Sequence, residues 1–240
     1  MSKHSDFSQI VNELVIAESA DPTHRYHSFD YCYAHFHPSN TQSRQNLELG
    51  CYILWGYLSS WGMLRGSTFL FQKNPAALKD LVQFIIDDKN KVLWAISLDD
   101  YPANYQKLTD LYTQIHSILG RIAKDVSEKL GKEKRVTITL VTKILLGVFG
   151  IVPAYDRYFC ETFNEIAKVK NKKATSFYSF DENSLSIIYD FYLENKQDIN
   201  AIQTKLKVID FNGNPTDLTY SAAKVIDMYG FNKLYNSNKG

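Results

Sequence analysis

The strongest constraint on this chain is a run of apolar side chains, Tyr105, Leu108, Leu111, Tyr112, Ile115, Ile118, Leu119, Ile122 and Val126, that keeps a three-four spacing up to Leu130-Gly131. Only a helix gathers such residues on one face, and Gly131 supplies its stop. Breakers are scarce throughout, with 11 Gly and 6 Pro in 240 residues, so long helices are expected elsewhere too. Phe7, Ile10, Val11, Leu14 and Val15 predict a first amphipathic helix, closed by Asp21-Pro22, and an aromatic piece over 26–37 runs into Pro38. Residues 46–63 are apolar on nearly every face and carry Gly50, Gly56 and Gly62, which predicts a buried central helix approached closely by its neighbours. Pro75 heads another helix through Ile85, and Val92 to Ile96 fits a short strand or a helical turn. Val136 to Phe149, apolar almost all round, ends at Gly150. Asp156 to about Val169, Leu185 to Leu193 and Tyr220 to Tyr229 complete the helices, with a turn from Asp210 to Pro215. No repeat, linker or composition shift divides residues 1–240, so the expectation is a single all-α domain of many helices.

Composition narrows the function classes. With 45% hydrophobic and 22% charged residues this is an ordinary globular chain, not a disordered, collagen-like or coiled-coil one. A domain of this size buries roughly 70–75% of its unfolded surface, so it needs neither disulfides nor metal to hold together. A net charge of +1 means that any nucleic-acid contact must come from local patches. Cys32, Cys51 and Cys160 are odd in number and widely spaced, which fits a reducing cytoplasm. The first residues lack the pattern of a signal peptide, and no run of about 18 apolar residues occurs, so a soluble, cytoplasmic protein without membrane contact is expected. Cys32, His35 and His37 fall short of a zinc ligand set, with no second pair nearby, and read as part of an aromatic cluster. There is no phosphate-binding Gly-rich loop, no Gly-x-Ser-x-Gly elbow and no Cys with an identifiable base. Neither a metal nor a cofactor is expected.

The informative stretch is residues 130–159. A helix ends at the basic turn Leu130-Gly131-Lys132-Glu133-Lys134, an apolar helix follows, and the loop Val152-Pro153-Ala154-Tyr155-Asp156 delivers one carboxylate to the start of the next helix. That order resembles the helix-hairpin-helix DNA glycosylases, especially the 8-oxoguanine type, in which a similar loop presents the catalytic aspartate. The resemblance covers about 30 of the 240 residues, and the turn at 130–134 departs from the family's hairpin sequence. It implies a glycosylase-like helical core, with the catalytic unit within 130–170. It also implies hydrolysis of the N-glycosidic bond of a damaged or modified base flipped out of double-stranded DNA, with Asp156 as catalytic carboxylate. By motif position and type, Tyr155, Tyr158 and Trp61 would line the pocket. The small net charge and altered hairpin favour an unusual, bulky base, as in phage or other foreign DNA. A monomer is expected.

Arg135, Thr139 and Lys143 recur every four residues, a polar stripe on an otherwise apolar cylinder that faces water or a cleft. Lys143 could reach the Asp156 site, as a second catalytic residue, or a phosphate. Arg65 lies between Gly62 and Gly66 at the end of the aromatic-rich helix and suits phosphate or base binding. Lys132, Lys134, Arg135, Arg157, Lys170, Lys172 and Lys173, with Lys168, would form a phosphate-binding rim if they converge. Asp156 is also a good helix N-cap. The alternative is therefore a non-enzymatic helical interaction or nucleic-acid-binding protein, in which the aromatic surplus packs a core or a partner.

Overall fold

A computed structural model describes residues 7–12, 21, 23–170 and 177–237. Residues 7–12 (α1) are followed by α2 (Ser28–Phe36), α3 (Leu47–Ser60), α4 (Lys79–Ile86), α5 (Tyr101–Leu130), α6 (Ile138–Ile144), α7 (Arg157–Val169), α8 (Glu182–Gln203) and α9 (Ala222–Ser237). Between α8 and α9 stands an antiparallel hairpin, β1 (Lys207–Ile209) on β2 (Pro215–Thr219), with Lys207 opposite Thr219. The fold is all-α apart from these two short strands. No helix among the described residues is long and apolar enough to cross a membrane. Leu14, Val15 and Pro22 lie outside the described residues.

Several expectations are refined. Val92 belongs to a 3-10 stretch, Asp88–Ala95. The helix expected from Leu185 to Leu193 runs as α8 from Glu182 to Gln203, started by a reciprocal capping box between Asp181 and Ser184. The turn at 210–215 is the tip of the hairpin, where the Asp210 carboxylate accepts N–H groups from Asn212 and Asn214. Of the central glycines, only Gly50 is closely approached: a Cβ there would meet Val82 Cγ1 at 2.8 Å, Gly56 faces open space, and Gly62 lies beyond the helix with φ +71°.

One apolar core runs through all the helices. Its ties include Arg44, buried to 1% exposure, which donates to the Phe36, Ile85 and Ile86 carbonyls and so closes the C-terminal ends of α2 and α4 with one guanidinium. α6 continues into a π turn, Leu145–Phe149. There Gly147 lets the Tyr57 ring of α3 pass where a Cβ would lie 2.3 Å from it, and the Tyr57 hydroxyl donates to the Lys143 carbonyl. α7 packs extensively on α9. These contacts bring the ends of α3 and α6, the start of α7 and the first turns of α9 to one place.

Candidate functional site

Asp156 is the N-cap of α7, and the two oxygens of its carboxylate do different things. Oδ1 accepts the Phe159 N–H at 3.1 Å, satisfying one orphan donor of the helix. Oδ2 lies 3.3 Å from Nζ of Lys143, the lysine that interrupts the apolar face of α6. The Lys143 side chain is 5% exposed and that of Asp156 18%. Lys143 is therefore closed in by side chains rather than open to bulk water. Thr139, one turn earlier, donates to the Tyr155 carbonyl, and Thr142 Oγ1 accepts the Tyr155 N–H, so α6 grips the loop that carries Asp156. Arg135 lies outside that arrangement, bound through two nitrogens to Glu133.

Trp61, the C-cap of α3, roofs the pair. Lys143 Nζ lies 4.6 Å from the centroid of its ring, close enough for a cation–π attraction. The indole stacks on Tyr26 at 5.3 Å and 16°, and Phe231 of α9 meets both rings edge-on. Tyr158 joins the edge of this aromatic group, its ring 5.1 Å from that of Phe231. The indole Nε1 is buried and has no hydrogen-bond partner among the described residues. Trp61 and Tyr158 thus belong to this aromatic group. Tyr155 does not: its side chain turns into the core, stacked on Phe159 and edge-on to Phe177, with its hydroxyl donating to Ser184 and burial holding that hydroxyl above its ordinary range. The Asp156 N–H donates to the Ala154 carbonyl at 2.8 Å, a tight turn centred on Tyr155 that parts its ring from the Asp156 carboxylate.

A second pair beneath the same indole is absent from the sequence reading. Lys224 Nζ lies 5.6 Å from the Trp61 centroid and 4.9 Å from that of Phe29, and 3.5 Å from Asp227 Oδ2. Burial pushes the Asp227 carboxyl above the usual carboxylate range, while Lys224 and Lys143 pull it back. The available signal is a Lys-x-x-Asp spacing inside the apolar run 222–231, since two charges one turn apart on a buried helix need each other.

The basic residues divide. Lys134 Nζ donates to the Ser67 carbonyl, which brings the 131–134 turn against the 65–67 turn that carries exposed Arg65. Lys132 is also exposed there. Arg157 leans on the Tyr158 ring with Glu161 3.7 Å away, and Lys170 pairs with Glu194 at 2.6 Å. Lys168 is exposed, and Lys172 and Lys173 lie outside the described residues. The described basic residues are thus spread over separate turns and helices.

Two concave volumes flank the site. One, of about 770 Å³, runs along α2, α3 and the hairpin tip, and includes Arg25, whose guanidinium lies 5.5 Å from the Trp61 centroid. The other, of about 280 Å³, abuts Gly150 and Ile151. Neither is lined by Lys143 or Asp156. Among the described residues no cluster of His, Cys, Asp and Glu is arranged to hold a metal ion. Comparison with family models, with curated proteins and with solved structures finds no match to this chain.

Proposed function

We propose that this chain is a DNA glycosylase that excises a damaged or modified base extruded from the duplex. The observation that carries this reading is the Lys143–Asp156 pair at the head of α7, 3.3 Å apart beneath an aromatic roof. Excision breaks the bond between the sugar C1′ and the base nitrogen, and the bonding electrons leave with the base. Positive charge develops on the sugar, where a fixed carboxylate is worth most in a dry site. Asp156 supplies that charge and takes a proton from the water that attacks C1′; the base, leaving with the bonding electrons, takes up one proton in turn, so that the products are a neutral free base and an abasic site. Lys143 holds the carboxylate in place. Trp61, Tyr26, Phe231 and Tyr158 supply rings on which an extruded base can stack, offsetting part of the cost of unstacking it. Lys143 is reached only when Trp61 shifts, and Gly62, with φ +71° and nothing but the Arg65 side chain near its missing Cβ, follows it in the chain.

The test is to incubate the protein with DNAs carrying normal, damaged and modified bases, phage DNA included, and to count abasic sites. Asp156→Asn is the informative variant, because Asn also caps a helix well. Excision falls by about 10²–10⁴-fold in a variant that still folds by circular dichroism, while the melting temperature falls because buried Lys143 loses its counter-ion. Borohydride trapping of a protein–DNA adduct would mark direct attack by the Lys143 amine in place of water. The second reading, a helical interaction protein, is favoured by the sealing of Lys143 under Trp61. It prevails when the wild-type protein releases no base from any substrate.

A further inference from the structure

The Val152–Asp156 loop ends on the carboxylate assigned to chemistry, and its backbone is clamped from two helices. From α6, Thr142 accepts the Tyr155 N–H at 2.9 Å and Thr139 donates to the Tyr155 carbonyl at 2.8 Å. From α9, Asp227 Oδ1 accepts the Ala154 N–H at 3.0 Å. Asp227 is the only charged member of the clamp. Its other oxygen faces Lys224, and the two side chains are 11% and 4% exposed. α9 is itself fixed to α7, where Thr162 donates to the Gly230 carbonyl. A carboxylate is a stronger acceptor than a hydroxyl or an amide. Buried this deeply, it requires a counter-ion, and removing either partner alone leaves an uncompensated charge.

On the glycosylase reading above, we propose that Asp227 is a positioning residue of the same centre: by holding the Ala154 N–H it sets where Asp156 meets Lys143, with Lys224 as its counter-ion. The last helix then belongs to the site, although it supplies no group that touches the reacting atoms. Lys143 and Lys224, both within 6 Å of one indole centroid, bring a positive field to the place where an extruded nucleotide would arrive.

The test uses the full chain and four variants: Asp227→Ala, Asp227→Asn, Lys224→Met and the double Asp227→Asn/Lys224→Met. Three quantities are read: hydrogen exchange at the Ala154 amide, reductive methylation of Lys143, and kcat and KM for base excision. In Asp227→Ala, Ala154 exchange accelerates about 10- to 100-fold, the range expected for loss of one hydrogen bond to a charged group. Lys143 becomes more reactive, and kcat falls at least tenfold with KM within twofold. The double variant keeps an amide oxygen for Ala154 and buries no unpaired charge. It restores Ala154 protection and most of kcat, which a role confined to global stability would not produce. Should Asp227→Ala unfold, the double variant decides alone: near-normal kcat with protected Ala154 supports the positioning role, and an exchanging Ala154 with normal kcat overturns it. A folded Asp227→Ala with unchanged Ala154 exchange and unchanged Lys143 labelling also overturns it. Failure of the wild type to release any base removes the glycosylase reading, whereas exchange and labelling still decide whether Asp227 positions the loop.

Discussion

His35 sits in α2 at 4% exposure, with Nε2 buried and unpartnered among the described residues, and burial together with the nearby Arg44 charge brings its pKa down from 6.5 to about 4. The native imidazole is therefore neutral where the unfolded one takes up a proton. Stability tied to this group is fully present above pH 6.5 and is lost as pH falls from 6.5 towards 4, by at most about 3 kcal/mol. Asp30 and Asp227 act in the opposite direction: their pKa values are raised by burial, so their cost to the fold is relieved on acidification. Denaturant unfolding of wild type and His35→Asn at several pH values separates the two, because the His35 part of the slope disappears in the variant while that of His37, whose pKa burial also lowers, remains. An unchanged slope would show that His35 is protonated in the native state. At this scale the candidate site was half legible. Lys143 and Asp156 stand out because a charge interrupts an apolar helix and a carboxylate follows Val-Pro. Asp227 does not, because its meaning lies in a bond to Ala154, 73 positions away.

Elements were legible where periodicity is long, as in α5, and hidden where a few residues suffice. β1 has three residues and β2 five, too short for alternation to show, and the Asp210 turn fixes the hairpin's tip. Helix contacts, in turn, depend on where a side chain is missing, which spacing alone does not tell. Gly230 in α9 lies where a Cβ would come 2.5 Å from the Phe159 ring of α7, whereas a Cβ on Gly56 in α3 would meet nothing within 4 Å. Phe159 is wedged among Tyr155, Phe163 and Phe177 and has little room to yield. Gly230→Ala is therefore expected to destabilise by about 1–3 kcal/mol through overpacking. Gly56→Ala is expected to stabilise by about 0.5–1 kcal/mol, since helical backbone entropy is then the only term that changes. Thermal melts of the two variants check both signs, and a destabilised Gly56→Ala would mean that α3 is covered on that side. On the glycosylase reading, because Asp156 caps α7 and α9 carries Asp227, Gly230→Ala should also slow base excision, and Gly56→Ala should not.

Over the whole molecule, a net charge of +1 conceals an uneven arrangement of cations. Arg135 is spent on Glu133, Lys170 on Glu194 and Lys73 on Asp125, and exposed pairs of this kind offer little to an incoming phosphate. No carboxylate among the described residues pairs with Arg65, Lys132 or Lys134, and the Lys134–Ser67 bond draws these three together. They lie on the turns that follow Trp61 and precede α6, the two elements that roof and supply the Lys143–Asp156 pair. On the glycosylase reading, this patch is where the duplex backbone rests. Three phosphate contacts give a slope of about −3 for the logarithm of the binding constant against the logarithm of salt concentration. Arg65→Gln should reduce that slope by about 1. Arg135→Gln should leave it unchanged, because the guanidinium removed was already neutralised by Glu133. Fluorescence anisotropy with a duplex of random sequence measures both, and equal effects of the two variants would place the backbone track elsewhere on the surface.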